Sequence, residues 1–176
     1  MRLWPEAVYD WGSTAAERAE PFPCDRLIED PGETLFRALD IDAPAARVFR
    51  WLCQLRAAPY SYDLVDNFGR RSPRRLTPGL ERLERGQPVM RIFRLVDFEP
   101  DCSLTISART TFFGDIACSY RVRELEPGQS RLVAKLLIAP GGRLRSALAH
   151  TVLAPGDLLM MRRQLLNLAE LAERGS

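Results

Sequence analysis

The sequence predicts an α+β fold in which helices gather on one face of a curved antiparallel sheet. The second half of the chain contains four strand-like runs separated by turn residues. Two amphipathic helical segments flank those runs, one before them and one at the C-terminus. A chain of 176 residues with 46% hydrophobic content has the size of one domain, so these elements are expected to share one core.

Residues 1–32 are expected to form an extended arm that packs on the body of the protein, residues 33–176. The arm is rich in proline, glycine and acidic residues, which interrupt regular secondary structure. Trp4, Trp11 and Phe22 are spread along it and are predicted to anchor it to the body.

A first strand is predicted from Glu33 to the turn at residues 42–44, and a helix is predicted over residues 44–55. Pro44 suits the first turn of a helix, because the amide that a proline lacks has no partner there in any case. The apolar positions of this helix recur every three or four residues, so one face can pack against a sheet. They are Val48, Phe49, Trp51, Leu52 and Leu55.

An arginine-rich connection follows and is predicted to be a loop with a short helix, ending near Gly86. It lacks interleaved aromatic residues, so it is interpreted as a solvated surface and not as a nucleic-acid site. Its arginines are Arg70, Arg71, Arg74, Arg75 and Arg82.

The four predicted strands are joined by hairpin turns rich in proline and glycine. Apolar and polar residues alternate along them, which predicts one buried and one wet face. The terminal helix carries a broad apolar stripe and is expected to cover the buried face. The strands are residues 90–98, 103–109, 116–126 and 132–138, and the helix is residues 156–173.

Net charge, cysteine spacing and the length of the apolar runs indicate which partners and which location to expect. The formal charge of +2 is small and predicts no particular partner. The four cysteines show no Cys-x-x-Cys pattern and are expected to be reduced thiols, which favours a cytoplasmic protein. No apolar run suits a signal peptide or reaches the roughly 18 residues of a membrane-spanning helix.

The run Tyr60–Arg70 gathers two phenols, two carboxylates, an amide and a guanidinium. This density is typical of a site, but the run contains no histidine, cysteine or serine–base pair, which argues against metal, thiol or triad chemistry. His150 is the only histidine of the chain, so metal ligation and general-base catalysis there are disfavoured. No metal or other cofactor is expected.

Six runs of the chain share the pattern of one known family: residues 11–14, 21–25, 39–44, 60–63, 66–70 and 159–166. Together they resemble a bacterial branch of the START-like superfamily, which is also called SRPBCC or polyketide cyclase/dehydrase and lipid transport. The resemblance implies a helix-grip fold, in which an antiparallel sheet wraps a long C-terminal helix and leaves a cavity, with two shorter helices after the first strand. Members bind lipids, polyketides and other apolar molecules, and a minority catalyse cyclisation or dehydration. One departure is Arg56–Pro59, which replaces a glycine-rich stretch containing tryptophan.

The expected ligand pocket combines apolar walls with a few converging polar groups. The same polar residues can instead cap helices or satisfy loop amides, and the aromatic residues can simply be core. The candidates for ligand binding are Tyr60, Tyr62, Asp63, Asn67, Trp51, Phe93, Tyr120 and Met161.

Three functions stay open from the sequence. The first is binding of a small hydrophobic or amphipathic molecule between the sheet and the terminal helix. The second is a cyclase or dehydratase, in which Tyr62 or Tyr60 is the acid and Asp63 or Asp66 the base. The third is a ligand-free interaction protein with a filled core, which forms a homodimer through its N-terminal arm.

Overall fold

The protein is a mixed α+β structure, seen in a computed structural model that describes residues 4–64, 67, 69–111, 114–140 and 154–175. In chain order the elements are helix α1 (Glu6–Tyr9), strand β1 (Asp10–Trp11), helix α2 (Ala15–Ala19), a 3-10 helix (Pro23–Arg26), strand β2 (Glu33–Ile41), helix α3 (Ala45–Cys53), a second 3-10 helix (Gln54–Arg56), strands β3 (Pro88–Val89), β4 (Phe93–Glu99), β5 (Ser103–Thr110), β6 (Gly114–Glu126) and β7 (Gln129–Ile138), and helix α4 (Ala154–Glu173).

The strands form one open sheet in the order β1-β2-β7-β6-β5-β4-β3. Neighbouring strands are antiparallel except β1, which pairs with β2 in parallel. The β6–β7 connection contains Pro127 and Gly128, and Gly128 has a φ of +87°. Proline followed by a residue with positive φ is typical of a tight type II turn, so this connection follows from its sequence.

The predicted sheet strands and the two main helices are confirmed to within a few residues. Helix α3 begins directly after Pro44 and continues as a 3-10 turn to Arg56, which matches the prediction over residues 44–55. Its apolar positions Val48, Trp51 and Leu52 are fully or almost fully buried. Amphipathic spacing over nine residues was therefore a sufficient signal.

The main core lies between one face of the sheet and helices α3 and α4. Side chains alternate across a strand, so every second residue of β5, β6 and β7 points to this core. The core contains Leu104 and Ile106 from β5, Cys118 and Tyr120 from β6, Ala134 and Leu136 from β7, and Leu165, Leu168 and Ala172 from α4.

The opposite face of the sheet was predicted to be wet, and this prediction is wrong for its centre. Phe22, Cys24 and Ile28 of the arm pack there in a second apolar cluster. The backbone amide of Cys24 donates a hydrogen bond of 2.9 Å to Ser119 Oγ of β6. The sequence shows alternation along a strand, but it does not show that a distant segment covers the polar side. The residues covered there are Phe36, Ala38, Ala117, Val133 and Leu137.

The arm is less extended than expected, because it contains α1, α2 and a 3-10 helix. Thr14 and Glu17 form a reciprocal capping box at the start of α2, which explains why so short a helix begins there. Trp4 is 41% exposed and is a weak anchor, whereas Phe22 is buried.

Two further expectations differ from the structure. No helix occurs among the described residues of 57–87, so the short helix predicted in the arginine-rich connection, the second of the two expected after the first strand, is absent from that part. The strand predicted over residues 90–98 begins only at Phe93, as β4, and residues 90–92 connect it to the short strand β3. Met90 and Arg91 both have positive φ, of 43° and 66°, and such left-handed residues cannot continue an extended strand.

Candidate ligand-binding cavity

A cavity of about 500 Å³ lies between the sheet and helix α4. Its floor follows from strand register, because Cys118 of β6 lies opposite Ile106 of β5 and Leu136 of β7. Residues paired across adjacent strands point to the same face, so these three side chains form one apolar row. Ile116 and Tyr120, two residues before and after Cys118, extend the floor.

Helix α4 supplies the opposite wall. Asp157, Met160, Met161 and Gln164 line the cavity, and their spacing of three and four residues places them on one side of the helix. The two methionines provide flexible apolar surface, which adapts to ligands of different shape. The wall is therefore apolar with one polar residue near each end.

The rim of the cavity is formed by Pro59, Ser61 and residues 90–93. Gln164 Nε2 donates to the carbonyl of Pro59 at 2.7 Å, and Asn167 Nδ2 donates to the carbonyl of Tyr60 at 2.7 Å. These bonds fix residues 59–61 against α4. Ile92 is 63% exposed, so the rim offers apolar surface to solvent.

Tyr120 and Gln164 form a polar contact inside the cavity. The hydroxyl of Tyr120 donates to Gln164 Oε1 at 2.7 Å, and Tyr120 is fully buried. Burial raises the pKa of Tyr120 well above its usual value, so the phenol is neutral and acts as a donor. The amide of Gln164 thus links the sheet, the helix and residue 59.

Among the residues that the structure describes, Asp157 is the only acidic one in the cavity lining, and it pairs with Arg37 of β2. Arg37 Nη2 lies 2.7 Å from Asp157 Oδ2. Burial raises the pKa of Asp157 to about 6, and the attraction of Arg37 only partly opposes this rise. A buried carboxyl group that changes charge near neutral pH can interact with the polar end of a ligand in either form.

Cys118 lies in the centre of the cavity floor and is buried. Burial raises the pKa of its thiol well above the usual value. Because the thiolate is the nucleophilic form, this cysteine is suited to packing and not to covalent chemistry.

The cavity brings together three of the eight residues proposed from sequence as ligand-binding. Phe93, Tyr120 and Met161 line it. Trp51 does not, since it is buried in the core and its ring packs edge-to-face on Tyr60 with 6.1 Å between ring centroids. Tyr120 was placed by the alternation along its strand and Met161 by the apolar stripe of the terminal helix. Trp51 was named for its aromatic ring, and that character alone did not predict a place in the cavity wall.

Apart from Ser61 at the rim, the described residues of the polar motif do not line this cavity. Tyr60 and Asp63 line a second pocket on another side of residues 59–61. The Asp63 carboxylate accepts hydrogen bonds from the backbone amide of Ser72 at 2.9 Å and from its hydroxyl at 2.5 Å. Asn67 Nδ2 donates to the carbonyl of Arg70 at 2.6 Å. Asp63 and Asn67 therefore organise the loop, which is the alternative that the sequence left open.

The remaining candidates are not part of the cavity wall or cannot be placed. Tyr62 is 44% exposed and does not line the cavity. Asp66 and His150 lie outside the described residues. Among the described residues, no cluster of three or more His, Cys, Asp or Glu side chains is arranged to hold a metal ion. None of the described helices is long and apolar enough to cross a membrane.

Three polar residues of the cavity region were missed from sequence. Asp157 and Gln164 both interrupt the apolar stripe of α4, at helical spacing from Met161. Arg37 interrupts the buried face of β2 between Leu35 and Leu39. Polar residues at apolar-face positions were the available signal, because such residues must find partners when buried.

The same fold occurs in solved structures of bacterial proteins. A hypothetical protein of Helicobacter pylori matches with a TM-score of 0.57 and 10% identity, over 91% of this chain and 99% of that one. A protein of Nitrosospira multiformis matches with a TM-score of 0.51 and 11% identity, over 79% and 95%. One of Thermus thermophilus matches with a TM-score of 0.50 and 15% identity, over 81% and 99%. The likeness is one of fold. No protein-family model and no curated protein sequence matches the chain.

Proposed function

We propose that this chain is a START-like helix-grip protein that binds a small hydrophobic or amphipathic molecule, of lipid or polyketide type, between the sheet and α4. The observation that carries the proposal is the apolar cavity of about 500 Å³, which is within the range of small-molecule sites. Burial of apolar ligand surface supplies the affinity, at roughly 25 cal/mol per Å².

The polar groups of the cavity suggest how the ligand is oriented. Tyr120 and Gln164 are already bonded to each other, and Asp157 is bonded to Arg37. A ligand hydroxyl or carbonyl near them can use their remaining hydrogen-bonding capacity, since a carboxylate and an amide oxygen each accept more than one bond. The ligand's polar end therefore belongs near α4, and its apolar part belongs over the row of Ile106, Cys118 and Leu136.

The two alternatives are less well supported. The enzyme hypothesis paired Tyr62 or Tyr60 with Asp63 or Asp66, but Tyr62 is exposed and Asp63 is bonded to Ser72. A ligand-free interaction protein requires a filled core, which a cavity of this volume does not favour. Dimer formation through the arm stays a prediction.

Native mass spectrometry of the purified protein, compared with its denatured mass, tests the proposal. A co-purifying apolar molecule, or a mass shift after exposure to a panel of lipids and polyketides, is the expected result. The variant Leu136→Phe fills the cavity floor and should reduce binding at least about tenfold. The control Leu125→Phe makes the same change at a residue that is 53% exposed and should bind as the wild type does.

Circular dichroism and thermal unfolding establish whether the Leu136→Phe variant is folded. A folded Leu136→Phe protein that binds as well as the wild type would overturn the proposed location. A clean apo mass with no shift across the whole panel would overturn the function.

A further inference from the structure

A second pocket, of about 460 Å³, lies between helix α4 and the loop that follows the Tyr60–Arg70 motif. We name it the arginine pocket. Residues 59–61, which are bonded to Gln164 and Asn167, separate it from the apolar cavity. Its lining includes Tyr60, Asp63, Glu170 and three arginines, Arg71, Arg74 and Arg163.

The cations and anions of this pocket differ in their pairing. Arg71, Arg74 and Arg163 form no ion pair with any residue that the structure describes. The acidic residues are already engaged: Asp63 accepts two hydrogen bonds from Ser72, and Glu170 pairs with Arg174. Three exposed arginines therefore line one pocket without an ion-pair partner in the described part of the chain, against the two carboxylates of Asp63 and Glu170. Like charges held together in this way favour an anion.

The loop that carries two of these arginines is braced on both sides. Asp63 binds Ser72 directly before Pro73 and Arg74, and the backbone amide of Gly69 donates to the carbonyl of Asp63 at 2.7 Å. Arg163 and Asn167 come from one side of α4. Because these bonds are made by groups other than the guanidiniums, they hold the pocket in shape and leave its cations available. Such preorganisation lowers the entropy cost of binding.

The wall of the pocket also contains an unsatisfied donor. Tyr60 is 1% exposed, and its hydroxyl has no hydrogen-bond partner among the described residues. Burial raises the pKa of Tyr60 well above its usual value, so the hydroxyl keeps its proton. Buried polar groups are normally bonded, and an exception requires an explanation. Tyr60 lines the pocket, so a phosphate oxygen that reaches this buried hydroxyl would supply the missing partner.

We propose that the arginine pocket is a binding site for a phosphate group. Guanidinium is the side chain best suited to phosphate, because its planar donors match two oxygens at once. The volume exceeds that of a single phosphate ion, so a small phosphomonoester or a phospholipid headgroup would fit. The inference does not depend on the function proposed for the apolar cavity, and it departs from the solvated surface that the sequence favoured for the arginine-rich connection.

The test compares two double variants with the same loss of charge. Arg74→Gln with Arg163→Gln removes two cations from the pocket. Arg50→Gln with Arg162→Gln removes two exposed arginines that do not line it, and Arg162 instead lies over the ring of Trp11. Isothermal titration calorimetry with inorganic phosphate and with glycerol 3-phosphate measures binding in solution. Flotation with phosphatidylcholine vesicles, with and without phosphatidic acid, measures binding to a lipid headgroup. Thermal unfolding confirms that both variants fold.

The pocket variant should bind at least about tenfold more weakly than the wild type, and the control variant should lose less than about twofold. Loss confined to the soluble ligands assigns the site to a free phosphate compound, and loss confined to vesicles with phosphatidic acid assigns it to a headgroup. Either outcome supports the site. An equal loss in both variants would show general charge attraction, and this result, or no binding in any arm, would overturn the proposal.

Discussion

Arg37 of β2 and Asp157 of α4 form a buried ion pair that joins the sheet to the C-terminal helix, with 2.7 Å between Nη2 and Oδ2. The Arg37 side chain is 1% exposed and that of Asp157 is 10% exposed. Arg37 Nη1 also donates to the carbonyls of Tyr9 and Phe36. Moving both charges out of water costs free energy, and this cost offsets much of their attraction. The net contribution of the pair to stability therefore depends on whether Asp157 is ionised.

The first prediction concerns the pH dependence of Asp157→Asn. Burial raises the pKa of Asp157 from 3.8 to about 6, so the folded protein holds this proton more tightly than the unfolded chain does. The stabilising contribution of the protonated group is complete below about pH 4 and is lost as the pH rises to about 6. Relative to the asparagine variant, the wild type should lose about 3 kcal/mol of unfolding free energy over this interval. Urea unfolding across the interval measures it.

The variant Arg37→Met serves as the control for this assignment. It removes the cation that opposes the effect of burial, so the pKa of Asp157 should rise and the interval should move to higher pH. A difference between wild type and Asp157→Asn that is constant with pH would contradict the prediction.

The second prediction concerns Glu17, which attaches the arm to β7. Glu17 accepts from Arg131 Nε at 2.6 Å, and this bond is the main cause that lowers the pKa of Glu17 from 4.5 to about 2. The stabilisation is present above about pH 4.5 and is lost as the pH falls toward 2. Glu17→Gln should therefore lower the free energy of unfolding by about 1–2 kcal/mol at neutral pH and by less in acid. Urea unfolding at neutral and at acidic pH measures the difference.

Glu6→Gln is the matched control in the same arm. Glu6 is 75% exposed and lies 3.8 Å from Arg18, and such exposed pairs contribute little. Equal losses for Glu6→Gln and Glu17→Gln would show that the Glu17–Arg131 bond is not what holds the arm.

Local patterns predicted the sheet, α3 and α4, because alternation and helical spacing are properties of neighbouring residues. They also identified Tyr120 and Met161 as cavity residues. Gln164 and Asp157 were missed although both interrupt an apolar stripe. Their importance depends on partners from distant strands, Tyr120 and Arg37, and a stripe does not name a partner across the core.

The sequence shows that the motif from Tyr60 to Arg70 is dense in polar groups. It does not show which of the two pockets beside α4 the motif lies against. Its position depends on Gln164 and Asn167, which bond to the carbonyls of Pro59 and Tyr60 from more than 100 residues away in the chain. These bonds place the motif beside the arginine pocket and not inside the apolar cavity. Backbone carbonyls carry no residue-specific signal, so no reading of side chains could have supplied this contact.

The third prediction concerns Gly12, where the arm crosses β2. Gly12 has a φ of +74°, and a Cβ placed there would overlap the backbone carbonyl oxygen of Ala38. Gly12→Ala therefore combines backbone strain with a clash that no side-chain rotation relieves. Gly128→Ala is the control, since Gly128 has a φ of +87° but nothing within 4 Å of its Cβ position. The control should lose about 1 kcal/mol from strain alone, and Gly12→Ala should lose at least twice as much in urea unfolding. Equal losses would mean that the arm shifts away from Ala38 without cost.

The fourth prediction compares the same substitution at two buried tyrosines. Tyr60 and Tyr120 are 1% and 0% exposed, but only the Tyr120 hydroxyl has a hydrogen-bond partner among the described residues, Gln164 Oε1. Tyr120→Phe leaves that amide oxygen with an unmet bond in the core and should cost about 1–3 kcal/mol. Tyr60→Phe removes an unsatisfied hydroxyl and should be neutral or stabilising in the free protein.

Urea unfolding of the two variants, at constant slope, measures this contrast. Phenylalanine keeps the edge-to-face contact of residue 60 with Trp51, so a loss at that position reports the hydroxyl and not the ring. A loss for Tyr60→Phe as large as that for Tyr120→Phe would show that the Tyr60 hydroxyl is satisfied in solution. If Tyr60→Phe is instead neutral in the free protein but weakens phosphate binding, the hydroxyl acts on the ligand alone. That outcome would connect the one unsatisfied phenol of the described core to the arginine pocket by measurement.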